Sequence, residues 1–323
     1  METYLDKMDR RNPPDRPFRS LVHFWITSLN RPKTCKKTIR HLLDLHVGAR
    51  ITVADDSPDP DVLRGIVDAF PDNVDGVYFD FDAGVSKKRN RALKHTDAPY
   101  IVFMDDDNLV GPETRFDHMF ALLEFFPRLA VVGQRKNDPG RNRWSNSESR
   151  FRLATSREGM ALKTIRPPER PTIYRRDWGH SDNTPIPFFY VDFVPLCCMV
   201  RRDVLEIVDW DERYKTCGEH IDFFLRLAAA NGKKKIIDYL EGRIRAETDP
   251  DRAPKFPEMI NEGRLLVAFL PGSHFVDTAE RNEEYKALRR RGSSFRRHMK
   301  NRWGFSGVHT WNTAITYKYD YGI

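Results

Sequence analysis

The sequence predicts an α/β fold, a mostly parallel central sheet with helices on both faces and an irregular, partly helical C-terminal extension. Three observations carry this prediction. Between Leu21 and Met104, strand-length apolar runs alternate with segments of helical spacing. The strand-like runs are apolar almost throughout, the pattern of strands covered on both faces. Four of them end in polar clusters, Thr27 to Arg31, Asp55 to Ser57, Asp82 to Ser86 and Asp105 to Asn108. Open α/β sheets bind ligands beyond the carboxyl ends of their strands, so four such clusters converge on one edge.

Taken in order, residues 1–19 are basic and Pro-rich and read as a flexible arm. Leu21 to Ser28 is the first strand, broken by Asn30-Arg31-Pro32. Thr34 to Leu45 is a helix with apolar positions at Cys35, Ile39, Leu42 and Leu43. Arg50 to Ala54 is a strand, Val62 to Phe70 a helix, and Gly76 to Phe81 a strand. Ser86 is expected to cap a helix running through Lys94. Residues 99–104 form a buried strand, followed by a helix near 111–126 and a strand at 129–134. Residues 135–187 have weak periodicity and read as a functional loop region or a small irregular sheet. Phe188 to Val200 returns to the core, and Gly218 opens a helix that stops at Asn231-Gly232. Lys235 to Leu240 is expected to be a strand, 243–275 irregular, and 280–300 a charged helix.

The composition is globular, with 40% hydrophobic and 31% charged residues in 323. The net charge of +7 favours polyanionic partners such as a nucleotide or nucleic acid. Four cysteines without a CxxC pair argue against a zinc site. With no leader-like or membrane-length apolar run, the expected setting is a reducing, cytoplasmic one.

The chemistry centres on Pro99 to Pro112. Tyr100 to Met104 runs into Asp105, Asp106 and Asp107. Adjacent carboxylates at the end of a buried strand repel one another unless a positive group lies between them. A divalent cation with oxygen ligands meets that need and commonly accompanies a phosphate. Neither Gly-x-Gly-x-x-Gly nor Gly-x-x-x-x-Gly-Lys-Ser/Thr follows the first strand, so the usual phosphate cradles are missing. A cation on Asp107 with Asp105 nearby, helped by Lys87-Lys88-Arg89 at a helix start, is the substitute.

Ala54-Asp55-Asp56-Ser57, Gly84 through Arg89-Asn90-x-Ala92-Leu93, Asp105-Asp106-Asp107 and Gly218-Glu219-His220-Ile221-Asp222-Phe223-Phe224 together resemble family-2-type glycosyltransferases of the GT-A (Rossmann-like) fold. The last block resembles the β-1,4-N-acetylgalactosaminyltransferase branch. The resemblance spans about Leu21 to Leu240. It implies a GT-A domain at 20–242, with a nucleotide-binding half at 20–134, an acceptor half at 135–242, and a basic, aromatic extension at 243–323. It also implies a UDP-sugar donor, Mn²⁺ or Mg²⁺, and inversion at the anomeric carbon.

By position, Asp55 and Asp56 would face uracil and ribose, Arg89 and Asn90 would line the nucleotide pocket, and Thr27 and Arg31 would flank the base. Asp105 would contact ribose or the metal shell, Asp107 would ligate the metal, and Asp106 beside them has no assigned role. Members of the family commonly place an acid where this chain has His220. Glu219, His220 and Asp222 therefore all stand as candidates for the base that deprotonates the acceptor.

The acceptor is expected to be a glycan or, as for some phage enzymes of this general fold, a hydroxylated base in duplex DNA. The arginines at 289–291 and 296–297 motivate the second choice. A nucleotidyltransferase, which would need a Gly-rich loop after the first strand, and a non-catalytic binding module are the rival readings.

Overall fold

The structure is a computed structural model. It describes residues 18–46, 49–138, 143–145, 150–156, 159–165, 170–174, 185–216, 218–233, 236–239, 241, 265–278, 287, 301–305, 307–309 and 316–317. Residues 1–17 of the arm expected at 1–19, nearly all of the helix expected at 280–300, Cys217, and Trp178 and His180 lie outside these residues, and the end of that arm is helical from Phe18.

The chain opens with α1 (Phe18–Leu21) and β1 (Val22–Ser28), then α2 (Pro32–Leu45), β2 (Arg50–Asp55), α3 (Asp61–Val67), β3 (Val74–Tyr78), α4 (Val85–His95) and β4 (Tyr100–Asp105). This is the alternation expected from the sequence. Next come β5 (Asn108–Leu109), α5 (Phe116–Phe125), β6 (Leu129–Asp138), β7 (Arg143–Ser145), β8 (Arg150–Ser156), β9 (Gly159–Ile165), β10 (Thr172–Tyr174), β11 (Ile186–Val191) and β12 (Cys198–Arg201). The chain continues through α6 (Val204–Ile207), α7 (Glu219–Ala230), β13 (Leu266–Asp277), β14 (Gly307–His309) and β15 (Thr316–Tyr317).

Among the described residues, eleven strands form the main sheet, ordered β10-β11-β13-β6-β12-β4-β1-β2-β3, with β5 and β7 attached at β13 and β6. β1 pairs in parallel with β2 and β4, and β2 with β3, while β12 runs antiparallel to β4 and β6. A smaller sheet of four, β15-β14-β9-β8, accounts for part of the region read as irregular.

Alternate residues of a strand face opposite sides, and the core follows that period. Trp25, Ile101 and Phe103 pack with Ala92 of α4, Val204 of α6, and Phe223 and Phe224 of α7. Phe24, Ile26, Val102 and Met104 face the other way, onto Cys35, Ile39 and Leu42 of α2, Ile66 of α3 and Phe116 of α5. The sheet is therefore covered on both faces, which is why its central strands read as unbroken apolar runs.

Several local expectations change. Ser86 does not cap α4: it lies inside the helix, buried, and its hydroxyl donates to Tyr214 O at 2.8 Å. Gly84 precedes the helix instead, with φ 91°, and a Cβ there would lie 2.8 Å from Lys215 Cα. Both the left-handed backbone and the close approach select glycine. Residues 236–239 are helical rather than extended. Within 243–275, read as irregular, Leu266 onward forms β13, which lies between β6 and β11. The main sheet thus draws on residues beyond 242.

Candidate active site

The polar ends of β1, β2 and β4 open onto a solvent-accessible cleft. Its lining includes Thr27, Arg31, Asp56, Arg89, Asp105 and Glu219, together with Lys88, Lys215 and Thr216. The described helices include none long and apolar enough to cross a membrane.

The floor is the turn after β4. Asp105 N–H donates to Asn108 Oδ1 at 2.9 Å, and Asp106 N–H to Thr27 O at 3.1 Å, which fixes the turn against β1. Asp105 Oδ1 accepts from Thr27 Oγ1 at 3.0 Å and from Arg89 Nη2 at 3.1 Å. Its side chain is one-third exposed, while Asp106 is fully buried. Burial raises Asp105, but Arg89, His220 and Arg31 together outweigh it and the carboxyl sits below its ordinary range. Burial pushes Asp106 up to about 7 against the pull of Arg31, with Asp107 and Asp105 adding to the rise.

Arg31 reaches this turn because Asn30, with φ 52°, reverses the chain and Pro32 then starts α2. Its Nε donates to Asp106 Oδ2 at 3.1 Å, Nη2 contacts Asp106 Oδ1, and Nη1 donates to Asp107 Oδ2 at 2.7 Å. Arg31 lines the cleft as expected, but its guanidinium serves the acidic turn.

Asp55 and Asp56 are expected to face uracil and ribose. Asp55 is fully buried and does not line the cleft; its Oδ1 accepts from Ser57 N–H at 2.9 Å. Asp56 is buried, with Oδ1 on Lys88 and Oδ2 accepting from Gly84 N–H at 3.0 Å. Lys88 also donates to Ser28 O at 2.7 Å. The carboxylate of Asp56 thus holds the start of α4, where an external phosphate was anticipated, and Val85 N–H is taken by Lys215 O at 3.0 Å. Asn90 is likewise engaged by the protein itself. Its side chain accepts from Trp210 N–H and donates to Trp210 O, each at 2.8 Å, so it ties α4 to the 210 turn and is not part of the cleft lining.

Across the cleft, Arg89 is buried and links the two halves: Nη2 reaches Asp105 and Nη1 reaches Glu219 Oε1 at 3.3 Å. Its guanidinium stacks 4.7 Å from the Trp210 ring centroid. Glu219 and His220 start α7 after Gly218, which has φ 89°. His220 Nδ1 lies 3.1 Å from Glu219 Oε1. Burial alone would raise Glu219; His220 and Arg89 outweigh it and hold the carboxylate well below its ordinary range. His220 Nε2 and Glu219 Oε2 are buried atoms with no hydrogen-bond partner.

Asp222, the third candidate base, is fully buried. It accepts from Arg226 Nε at 2.9 Å and from Trp303 Nε1 at 2.7 Å, and it is not part of the cleft lining. A carboxylate so committed is not placed to take a substrate proton.

No group of three or more His, Cys, Asp and Glu side chains is arranged to hold a metal among the described residues. The available donors are nevertheless hard oxygens, Asp105 on the cleft and Asp107, which is not part of the cleft lining, is 13% exposed and has its Oδ2 on Arg31. Two carboxylates suit Mg²⁺ or Mn²⁺ when a diphosphate completes the shell, so the donor set fits such an ion. Lys215 and Thr216, which line the cleft, were not assigned to the site from sequence, and Lys88, expected there as part of the basic helix start, pairs with Asp56.

A parallel-dominated sheet with an acidic turn and a helix-borne Glu-His pair at one cleft defines a GT-A glycosyltransferase fold. The family model described as glycosyl transferase family 2 matches residues 24–207, and the chain belongs to that family. Among solved structures, it is similar to S. aureus TarS 1–349 in complex with UDP, at 14% identity and a TM-score of 0.49, covering 87% of this chain and 63% of that one. It is also similar to the mannosyltransferase PcManGT from Pyrobaculum calidifontis in complex with GDP-Man and Mn²⁺, at 12% identity and a TM-score of 0.48, covering 91% and 68%. The chain thus spans less than two thirds of the TarS fragment it matches.

Proposed function

We propose that this chain is an inverting glycosyltransferase that moves a sugar from a UDP-sugar to an acceptor hydroxyl with Mn²⁺ or Mg²⁺. The observation that carries the reading is Arg89, whose two terminal nitrogens join Asp105 on the donor side to Glu219 on the base side within one cleft. Family membership supports glycosyl rather than nucleotidyl transfer.

Thr27 orients Asp105, and Asp105 and Asp107 are the residues that would hold the ion. When bound, that ion supplies charge stabilisation to the departing diphosphate. On the opposite side, Glu219 lines the cleft and His220 Nε2, enclosed beside it and without a protein partner, is the atom assigned to take the proton of the acceptor hydroxyl. Glu219 Oε1 keeps the Nδ1 side of the ring and balances the imidazolium that forms. Arg89 and His220 keep Glu219 ionised for that task. Direct attack of the activated acceptor hydroxyl on the anomeric carbon, as the diphosphate leaves from the opposite side, is a single displacement, and a single displacement inverts that centre.

The motif around Glu219 supports a donor of the UDP-N-acetylhexosamine type, after the galactosaminyltransferase-like pattern. A glycan hydroxyl is the acceptor we favour. The basic segment that motivates duplex DNA lies outside the described residues. The test is a calorimetric panel of nucleotide sugars with Mn²⁺, followed by product assays on glycans and on hydroxymethylated DNA. Tight UDP-sugar binding and transfer support the reading; binding of nucleoside triphosphates with release of pyrophosphate sinks it.

A further inference from the structure

Residues 301–305 return to the base side of the cleft some seventy positions after the end of α7. Arg302 and Trp303 are buried there, 5% and 1% exposed. Trp303 Nε1 donates to Asp222 Oδ1 at 2.7 Å, and Arg302 Nε forms an ion pair with the same oxygen at 3.2 Å without a hydrogen bond. Arg302 Nη1 pairs with Asp211, which also accepts from Arg213 N–H at 3.1 Å. Phe305 stacks on Tyr239 with centroids 5.4 Å apart, and Tyr239 Oη donates to Trp303 O.

These contacts hold both flanks of one piece of the cleft wall. Asp222 is in the first turn of α7, three residues after Glu219, and its N–H closes on Gly218 O at 3.0 Å. Asp211 begins the segment that runs through Tyr214 and Lys215 and bonds to Ser86 and Val85 on the donor side. Lys215, Thr216 and Glu219, which line the cleft, lie between the two anchored points. A buried carboxylate gripped by three cations or donors has one position, and it passes that position to the helix turn it belongs to.

We infer that Arg302 and Trp303 are positioning residues, which fix the Glu219–His220 pair against the donor half through Asp222 and Asp211. The inference rests on the reading of that pair as the base.

The test uses the full chain with Trp303→Phe, which keeps the ring and deletes the N–H, and Arg302→Lys beside Arg302→Ala. Three quantities are read: the ¹⁵N resonances of the His220 imidazole, UDP affinity by calorimetry, and kcat with its pH profile. Trp303→Phe is expected to shift or broaden the His220 resonances, lower kcat by about tenfold to a hundredfold and displace its acidic limb. UDP affinity stays within about twofold of wild type. Arg302→Lys retains more turnover than Arg302→Ala. Unchanged His220 resonances in folded Trp303→Phe overturn the positioning role, as does UDP affinity falling in step with kcat. Wild-type turnover in both His220→Ala and Glu219→Gln sinks the base assignment alone, and the imidazole resonances then still decide the positioning role.

Discussion

Arg31 grips Asp106 through a two-pronged fork, Nε to Oδ2 at 3.1 Å and Nη2 to Oδ1, with the carboxylate fully buried. Removing Arg31 leaves a buried carboxyl, already pushed up to about 7, without both of its donors, so it must take up a proton or stay unpaired. Arg31→Ala is expected to lower unfolding stability by about 3–5 kcal/mol in urea titrations at pH 7. A loss below about 1 kcal/mol, the level of exposed pairs, would show that the fork is not a structural anchor.

Asp107 differs from its neighbour in having partial exposure and a single Arg31 contact. Asp107→Ala is expected to abolish Mn²⁺-stimulated UDP release and to weaken UDP-sugar binding measured with Mn²⁺, while leaving metal-free UDP binding largely intact. Unchanged metal stimulation would remove Asp107 from the metal site.

The three candidate bases separate by partner. His220→Ala is expected to lose about 10²–10⁴-fold in kcat with donor affinity retained, and the acidic limb of its pH–rate profile should change. Asp222→Asn is expected mainly to destabilise, since its carboxylate holds Arg226 and Trp303. A stable Asp222→Asn with selective loss of transfer would reverse that ranking.

His23 gives the fold a pH dependence. It is buried between Thr52 Oγ1 at 2.8 Å and Thr96 Oγ1 at 3.1 Å; burial, with Arg50 and His95, pushes it down to about 4. The unfolded chain takes up this proton near pH 6.5 and the folded chain does not. The stability from neutral His23 is therefore complete above pH 6.5 and falls as pH drops toward 4, by about 3 kcal/mol in all. His23→Gln should flatten the slope of unfolding free energy in that window by about one proton; an unaltered slope would place the titration elsewhere.

Much of the first half was legible in the residues. β1, β2 and β4 are apolar runs with sharp polar ends, and burial on both faces leaves that signature. β13 was not legible because Pro271-Gly272-Ser273 divides its apolar run and reads as a turn. The strand instead continues through it, with a register shift between Leu270 and His274 against β6. In the site, the acidic turn announced itself by charge, but Asp55 and Asp56 did not reveal that Ser57, Lys88 and Gly84 would hold them internally. Arg302 and Trp303 carried no signal, since nothing local ties them to Asp222.

The place of β13 has a consequence for biosynthesis. β6 emerges more than a hundred residues before the strand that pairs along its far side. Until residue 277 has left the ribosome, that edge presents unpaired amides and carbonyls from an apolar strand. Sheet closure is therefore a late, long-range event, slow on topological grounds and exposed to aggregation while it waits. A chain cut at residue 242 would keep its acidic turn and its Glu-His pair and still carry that open edge permanently.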